Sequence, residues 1–295
     1  MNYAKSFAPA NISCIFYIYR NKDAAKSGST GLGFTVNEGV FVRVTKLGAL
    51  KNETIKKPNG NNTKNKKENT IIFNNKKINF PAVSSVINKL NKDNEKVAVE
   101  IKTKLPLGCG FGISGASALA TSYALNSLLN LKKTKKELAR IAHIAEVENS
   151  TGLGDVVNQF YGGFNFREKP SCTFRRKKLS IGDKKIYYKV FGKLETKKVI
   201  SNEKIKRAIN RECKRALSAI KKMKKPKLAD LIKVSKEFAI SSGLLKSNKV
   251  KKTIKEIEKN NGNTSMIMLG NSVFSDKKFK GSKMLTISER GVRLL

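Results

Sequence analysis

Leu105-Pro106-Leu107-Gly108-Cys109-Gly110-Phe111-Gly112-Ile113-Ser114-Gly115-Ala116-Ser117 is the stretch that decides how this chain is read. Glycines spaced two apart remove Cβ where a backbone must approach a bulky anion. The apolar run at 116–129 behind them predicts a helix whose free N–H groups face back onto the loop. Pro106 ahead of the glycines and the Ser114 hydroxyl at the helix start complete a concave array of donors, with one oxygen placed to meet a metal. A phosphate is the ligand such a loop would hold. An ordinary strand-to-helix turn needs no such combination.

Other phosphate loops fit less well. No G-x-x-x-x-G-K-[ST] occurs, so no lysine stands as in a Walker loop. Gly110-Phe111-Gly112-Ile113-Ser114-Gly115 matches G-x-G-x-x-G formally, but a dinucleotide site needs an acid roughly 20 residues on, at the end of a second strand. Asn130-Leu131-Lys132-Lys133 stands there, between two predicted helices. Nothing resembles the H-R-D or D-F-G of protein kinases.

Composition narrows the class further. A chain of 295 residues, 39% hydrophobic and 28% charged, can bury a sizeable core and form one large or two modest domains. The net charge of +39 invites a nucleic-acid reading. Yet the cations are spread over nearly every segment, are mostly lysines and are accompanied by abundant Asn, as an AT-rich genome would encode. Trp is absent, which removes one base-stacking side chain. A solvated basic surface that draws in anionic substrates is the expectation, with no specific nucleic-acid partner. Cys14, Cys109, Cys172 and Cys213 form no C-x-x-C pair, and His143 is the sole histidine, so neither a disulfide framework nor a His/Cys metal site is expected. Cys109, inside the loop, has N–H-rich surroundings that should favour a thiolate. The apolar stretch at 12–19 is too short to span a bilayer. The protein is expected in the cytoplasm, without a membrane.

Along the chain, residues 13–19 and 39–45 have the β-branched and aromatic content of strands, with a glycine-rich turn at 28–33 between them. Residues 51–70, dominated by Asn and Lys, predict a surface loop or hairpin tip. A helix at 83–90 and an alternating strand at 97–105 lead into the phosphate loop. Thr134-Lys135-Lys136-Glu137 is a capping-box pattern opening a helix that runs to about Glu148. Leu138, Ile141, Ala142 and Ala145 form its apolar stripe, which puts Glu146 and Glu148 on opposite borders and His143 off the stripe, toward solvent or a cleft edge. Asp155 follows Gly154, where a helix N-cap is one reading. Later residues predict a strand at 185–191, helices at 205–220 and 228–238, and a strand at 266–269.

Residues 106–118 resemble the P-x-G-x-G-x-G-x-S phosphate loop of the GHMP kinases, small-molecule kinases whose loop wraps the phosphates of ATP. Phe7-Ala8-Pro9-Ala10, Gly28-Ser29-Thr30-Gly31-Leu32-Gly33, Ala142-His143-Ile144-Ala145-Glu146-Val147-Glu148-Asn149, Thr151-Gly152-Leu153-Gly154-Asp155-Val156 and Ser265-Met266-Ile267-Met268-Leu269-Gly270-Asn271-Ser272-Val273-Phe274 extend the likeness from near residue 5 to the end, most closely to the archaeal pantoate kinase type. Two departures from the superfamily pattern, Ile113 where many loops have Ser and a late motif with the single Gly270, are shared with that type.

The resemblance implies an α+β, two-domain fold: an N-terminal βα domain at 1–165 carrying the loop, a C-terminal α/β sandwich-like domain at 166–295, and an active site between them. It implies ATP held at Pro106, Gly108, Cys109, Gly110, Phe111, Gly112, Ser114, Gly115 and Ala116. Mg²⁺ would be held by Ser114 and a glutamate of the next helix, placed at Glu146 with Glu148 as the alternative. Asp155, seven residues before Gly162-Gly163, matches the aspartate that orients or deprotonates the acceptor hydroxyl. Ser29 and Gly31 would bind the acceptor, pantoate, with homoserine or mevalonate as other GHMP acceptors. A silent nucleic-acid-binding protein on a related scaffold is the reading from another class. A homodimer is admissible.

Overall fold

Strands β1 (Tyr3–Tyr19) and β2 (Gly28–Lys46) pair antiparallel along nearly their whole length in the computed structural model, which describes residues 2–47, 69–181, 185–194 and 202–295. The glycines at 28–33 are part of β2 and not a turn. They pair with residues 13–19 of β1, where backbones lie close: a Cβ on Gly31 would sit 2.2 Å from the Ile15 carbonyl oxygen. The pairing slips twice, between Pro9 and Asn11 and between Ser13 and Ile15. Such bulges re-aim side chains, and Asn11 and Ser13 lie between the two. Most of the Asn- and Lys-rich stretch at 51–70 falls outside the described residues.

β3 (Thr70–Phe73) and β4 (Lys76–Lys77) form a short ribbon, and α1 (Pro81–Leu90) and β5 (Val97–Lys102) follow. The phosphate-loop stretch leads into α2 (Ile113–Leu128), then α3 (Lys135–Glu148), α4 (Asp155–Tyr161), β6 (Phe164–Arg167) and β7 (Lys177–Leu179). These strands and the last one, β12 (Arg293–Leu294), make an eight-stranded sheet of order β12-β1-β2-β5-β3-β4, with β6 on the other half of β2 and β7 beside β6. α2 is buried on almost every side, packed on β1 and β2 and between α1 and α3, which explains its apolar sequence without a polar face.

The rest of the chain builds a second sheet. β8 (Lys185–Gly192), helices α5 (Glu203–Lys222), α6 (Leu228–Ser241) and α7 (Asn248–Lys259), β9 (Thr264–Met266), β10 (Asn271–Ser275) and β11 (Lys283–Thr286) give the strand order β11-β8-β10-β9. The strand expected at 266–269 is displaced: β9 ends at Met266, and residues 267–270 turn against the phosphate loop. A Cβ on Gly270 would fall 2.1 Å from the Cys109 carbonyl oxygen. α5 and α6 reach back onto β1, so the two sheets share one apolar core.

Candidate active site

The phosphate loop alternates like a strand. Cys109 and Phe111 turn inward, 2% and 1% exposed, with Phe111 edge-on to Tyr188 at 5.2 Å between ring centroids. Gly108, Gly110 and Gly112 take φ values of +79°, +90° and +61°, backbone that side chains rarely adopt. The carbonyls of this stretch are tied to the protein. Gly108 O accepts from Leu194 N and Phe111 O from Asn11 N, both at 2.9 Å, and Cys109 O accepts from Ser272 Oγ at 3.0 Å. Gly112 O accepts from Gln159 Nε2 at 2.8 Å. Among the described residues, no N–H from Gly108 to Gly115 has a hydrogen-bond partner. A run of free donors ahead of the α2 N-terminus is a site for an anion.

These donors border a cavity of about 430 Å³. Of the residues expected from sequence, Gly108, Gly110, Phe111, Gly112, Ser114, Glu146, Asp155 and Ser29 line it. Pro106, Cys109, Gly115, Ala116 and Gly31 are not in its wall. Phe16, Asn79, Phe80 and Pro81 supply apolar and amide surface on other sides.

α3 begins with the expected capping box: Glu137 N donates to Thr134 Oγ1 at 3.3 Å and Thr134 N to Glu137 Oε2 at 2.8 Å. At its far end the two glutamates separate. Glu146 is 1% exposed, and its Oε1 accepts from Ser114 Oγ at 2.6 Å and from Thr151 Oγ1 at 2.5 Å. Glu148 turns out of the site to an ion pair with Lys89 at 2.9 Å. Burial pushes Glu146 up to about 7, with nearby Asp155 adding to the rise against the two hydroxyl donors. A divalent cation fits this spot on chemical grounds. Two hard oxygens, Ser114 Oγ and a buried carboxylate, face a cavity lined by free N–H groups, and Mg²⁺ needs few protein ligands beside phosphate and water.

Asp155 is the first residue of α4 and Gly154 is its N-cap, so the capping alternative for Asp155 does not hold. Its carboxylate instead crosses to the bulged part of β1, where Oδ1 accepts from Asn11 Nδ2 at 2.6 Å and Ser13 Oγ at 3.4 Å. Burial raises its pKa, while Asn11, Arg167 and Ser13 oppose the rise. Arg167, on β6, is 1% exposed; it donates to Asn158 Oδ1, and through NH2 to Ser29 Oγ at 3.4 Å. Burial lowers its pKa to about 10, and Asp155 resists that change. Ser29 N donates to Ser171 Oγ at 2.9 Å, which fixes the strand behind it. Asn158 Nδ2 closes the network on Asn11 Oδ1 at 2.7 Å.

Asn11, Ser13, Asn158 and Arg167 escaped the sequence reading. Asn11 carried a faint signal, a polar residue in an otherwise apolar strand; Arg167 carried none, because burial of a strand arginine depends on partners far along the chain.

Two expectations are corrected by burial. His143 is 1% exposed, contacts the Ser27 carbonyl at 3.0 Å through Nε2 and stands edge-on to Phe174, so it supports the strand that carries Ser29 and faces neither solvent nor cleft. Its stripe is wider than the 138–145 pattern suggested because the short helical turn at 24–26 packs on α3 and the Phe174 ring stands against His143. Cys109 has its thiol pKa raised by burial, against the pull of Lys193, so the thiolate is disfavoured.

Comparison with known proteins shows what the chain as a whole is similar to. Residues 80–163 match the family described as GHMP kinases N terminal domain. A pantoate kinase of Methanocaldococcus jannaschii is 35% identical over 92% of this chain and 92% of its own length, and one of Methanospirillum hungatei is 30% identical over 98% and 96%. A solved structure described as a phosphotransferase related to the CoA biosynthesis pathway superposes with a TM-score of 0.82 at 26% identity, covering 99% of this chain and 98% of that one. This chain therefore belongs to the GHMP kinases, within the family of the archaeal pantoate kinases.

Proposed function

We propose that this phosphotransferase moves the γ-phosphoryl group of ATP to the 4-hydroxyl of (R)-pantoate, giving 4-phosphopantoate and ADP for coenzyme A synthesis. The observation that carries this reading is the pairing of two surfaces in one cavity: the free N–H groups of Gly108 and of residues 110–114 on one wall, and Asp155 with Ser29 on another. The first suits a polyphosphate and the second a hydroxylated acid.

In the reaction the acceptor hydroxyl oxygen attacks the γ-phosphorus, the bond to the β-phosphate oxygen breaks, and Asp155 takes the hydroxyl proton. Asn11 and Ser13 orient that carboxylate. The loop N–H groups would bind the phosphates as the charge on them shifts. Ser114 and Glu146 would hold Mg²⁺, which when bound neutralises phosphate charge. Arg167 lies behind Ser29 and lends positive potential to the acceptor side, in favour of a carboxylate there. The two units at 1–165 and 166–295 would each contribute a wall, and the reaction is placed in the cytoplasm. Among the described residues, no helix is long and apolar enough to cross a membrane.

Purified protein with MgATP and, separately, pantoate, homoserine and mevalonate, followed by ³¹P NMR, tests this. A phosphomonoester formed on pantoate with matching ADP is expected. Turnover of homoserine or mevalonate with pantoate inert would overturn it.

A further inference from the structure

Helix α4 turns two side chains toward the phosphate loop. Asp155 and Gln159 are four residues apart and share one face of the helix, and Gly112 packs against both. A Cβ on Gly112 would come within 2.9 Å of Gln159 Nε2 and 3.1 Å of Asp155 Cβ. Gln159 is fully buried, and its Nε2 donates to the Gly112 carbonyl at 2.8 Å. Its Oε1 is buried without a partner, 3.0 Å from the place a Cβ on Gly115 would occupy, with Glu146 Oε2 3.1 Å from the same place. The amide orientation is set by the contact itself: the other flip would bring two carbonyl oxygens together.

The consequence follows from peptide geometry. In a trans peptide the C=O and the following N–H point opposite ways, so holding the Gly112 carbonyl fixes the direction of the Ile113 N–H. Gly112, at φ +61°, is the residue most able to let that peptide rotate. We propose that Gln159 is a positioning residue for the phosphate loop: as a second donor beside Ala116 N, which reaches the same carbonyl at 3.0 Å, it pins the Gly112 carbonyl so that the donors heading α2 are presented to nucleotide phosphates, and it ties that loop to the helix bearing Asp155. The inference rests on reading this loop as the ATP site.

Gln159→Met keeps size and removes the donor; Gln159→Glu puts a carboxylate against the carbonyl. MgATP binding is measured by calorimetry, with KM for both substrates and melting, from pH 6 to 8.5. The acceptor is whichever hydroxy acid the wild type phosphorylates best. Gln159→Met should weaken MgATP binding about tenfold with the acceptor KM within about twofold and melting close to wild type. Gln159→Glu should be weaker still at high pH and recover toward wild type as pH falls, because burial raises the introduced carboxyl's pKa and its protonated form donates. Wild-type MgATP affinity in Gln159→Met overturns the proposal. So does an equal rise in both KM values with lowered melting, the mark of a merely structural glutamine. A wild type that binds no MgATP overturns the ATP reading together with the proposal. If Gln159→Glu does not fold, the Met variant decides alone.

Discussion

Asn11 and Asp155, 144 positions apart in the chain, share a 2.6 Å hydrogen bond from Asn11 Nδ2 to Asp155 Oδ1. It joins the bulged stretch of β1 to the first turn of α4 and stabilises the ionised carboxylate against a burial that favours the neutral acid. Asn11→Leu should therefore raise the Asp155 pKa further. If catalysis needs the carboxylate, the acidic limb of kcat/KM against pH moves to higher pH in the variant. An unmoved limb would separate Asp155 from the titrating group.

Glu146 makes metal-free stability depend on pH. Its folded-state pKa of about 7 lies above the ordinary 4.5, so between those values the folded protein holds a proton that the unfolded chain has lost. Stability should fall as pH rises through that window and level off above it. Glu146→Gln removes the penalty: without Mg²⁺ at pH 8 it should be more stable than wild type, by on the order of 3 kcal/mol. Added Mg²⁺ with nucleotide should stabilise the wild type far more than the variant. Thermal melting from pH 5 to 8.5 reads both effects.

The same pair should govern turnover. Ser114→Ala and Glu146→Gln are each expected to lower kcat by about 10²-fold, whereas Glu148→Ala, which only loses its ion pair with Lys89, should stay near wild type. Loss of activity in Glu148→Ala with full activity in the Glu146 variant would reverse the assignment.

Ser29 separates acceptor from donor. Ser29→Ala should raise the KM for pantoate several-fold more than that for ATP, since its hydroxyl stands on the Asp155 side of the cavity beside Arg167. Steady-state kinetics with each substrate varied measure the split; an effect confined to ATP would contradict it.

Much of this site was legible in the sequence because it is built from local rules. The glycine spacing at 108–112, the Thr134/Glu137 capping box and the position of Glu146 in the last turn of α3 each depend on neighbours within a few residues. What escaped depends on distant partners. The run at 28–33 looks like a turn until β1 supplies its partner, and Arg167 looks like any strand cation until Ser29 and Asn158 surround it. Sequence periodicity puts His143 toward solvent or a cleft edge because it reports one helix face and not what a neighbouring turn covers; the N–H-rich loop suggests a thiolate at Cys109 because the burial that disfavours it comes from distant residues.

Asp155→Asn tests the central claim most directly. Asn keeps the size and an oxygen to accept from Asn11 and Ser13, and Gly154 remains the cap of α4, so melting and MgATP binding should be little changed. Single-turnover phosphorylation of pantoate by the purified variant should then slow by roughly 10²–10⁴-fold, the usual cost of losing a general base. A single-turnover rate equal to the wild type's would contradict the account and remove Asp155 from the chemistry.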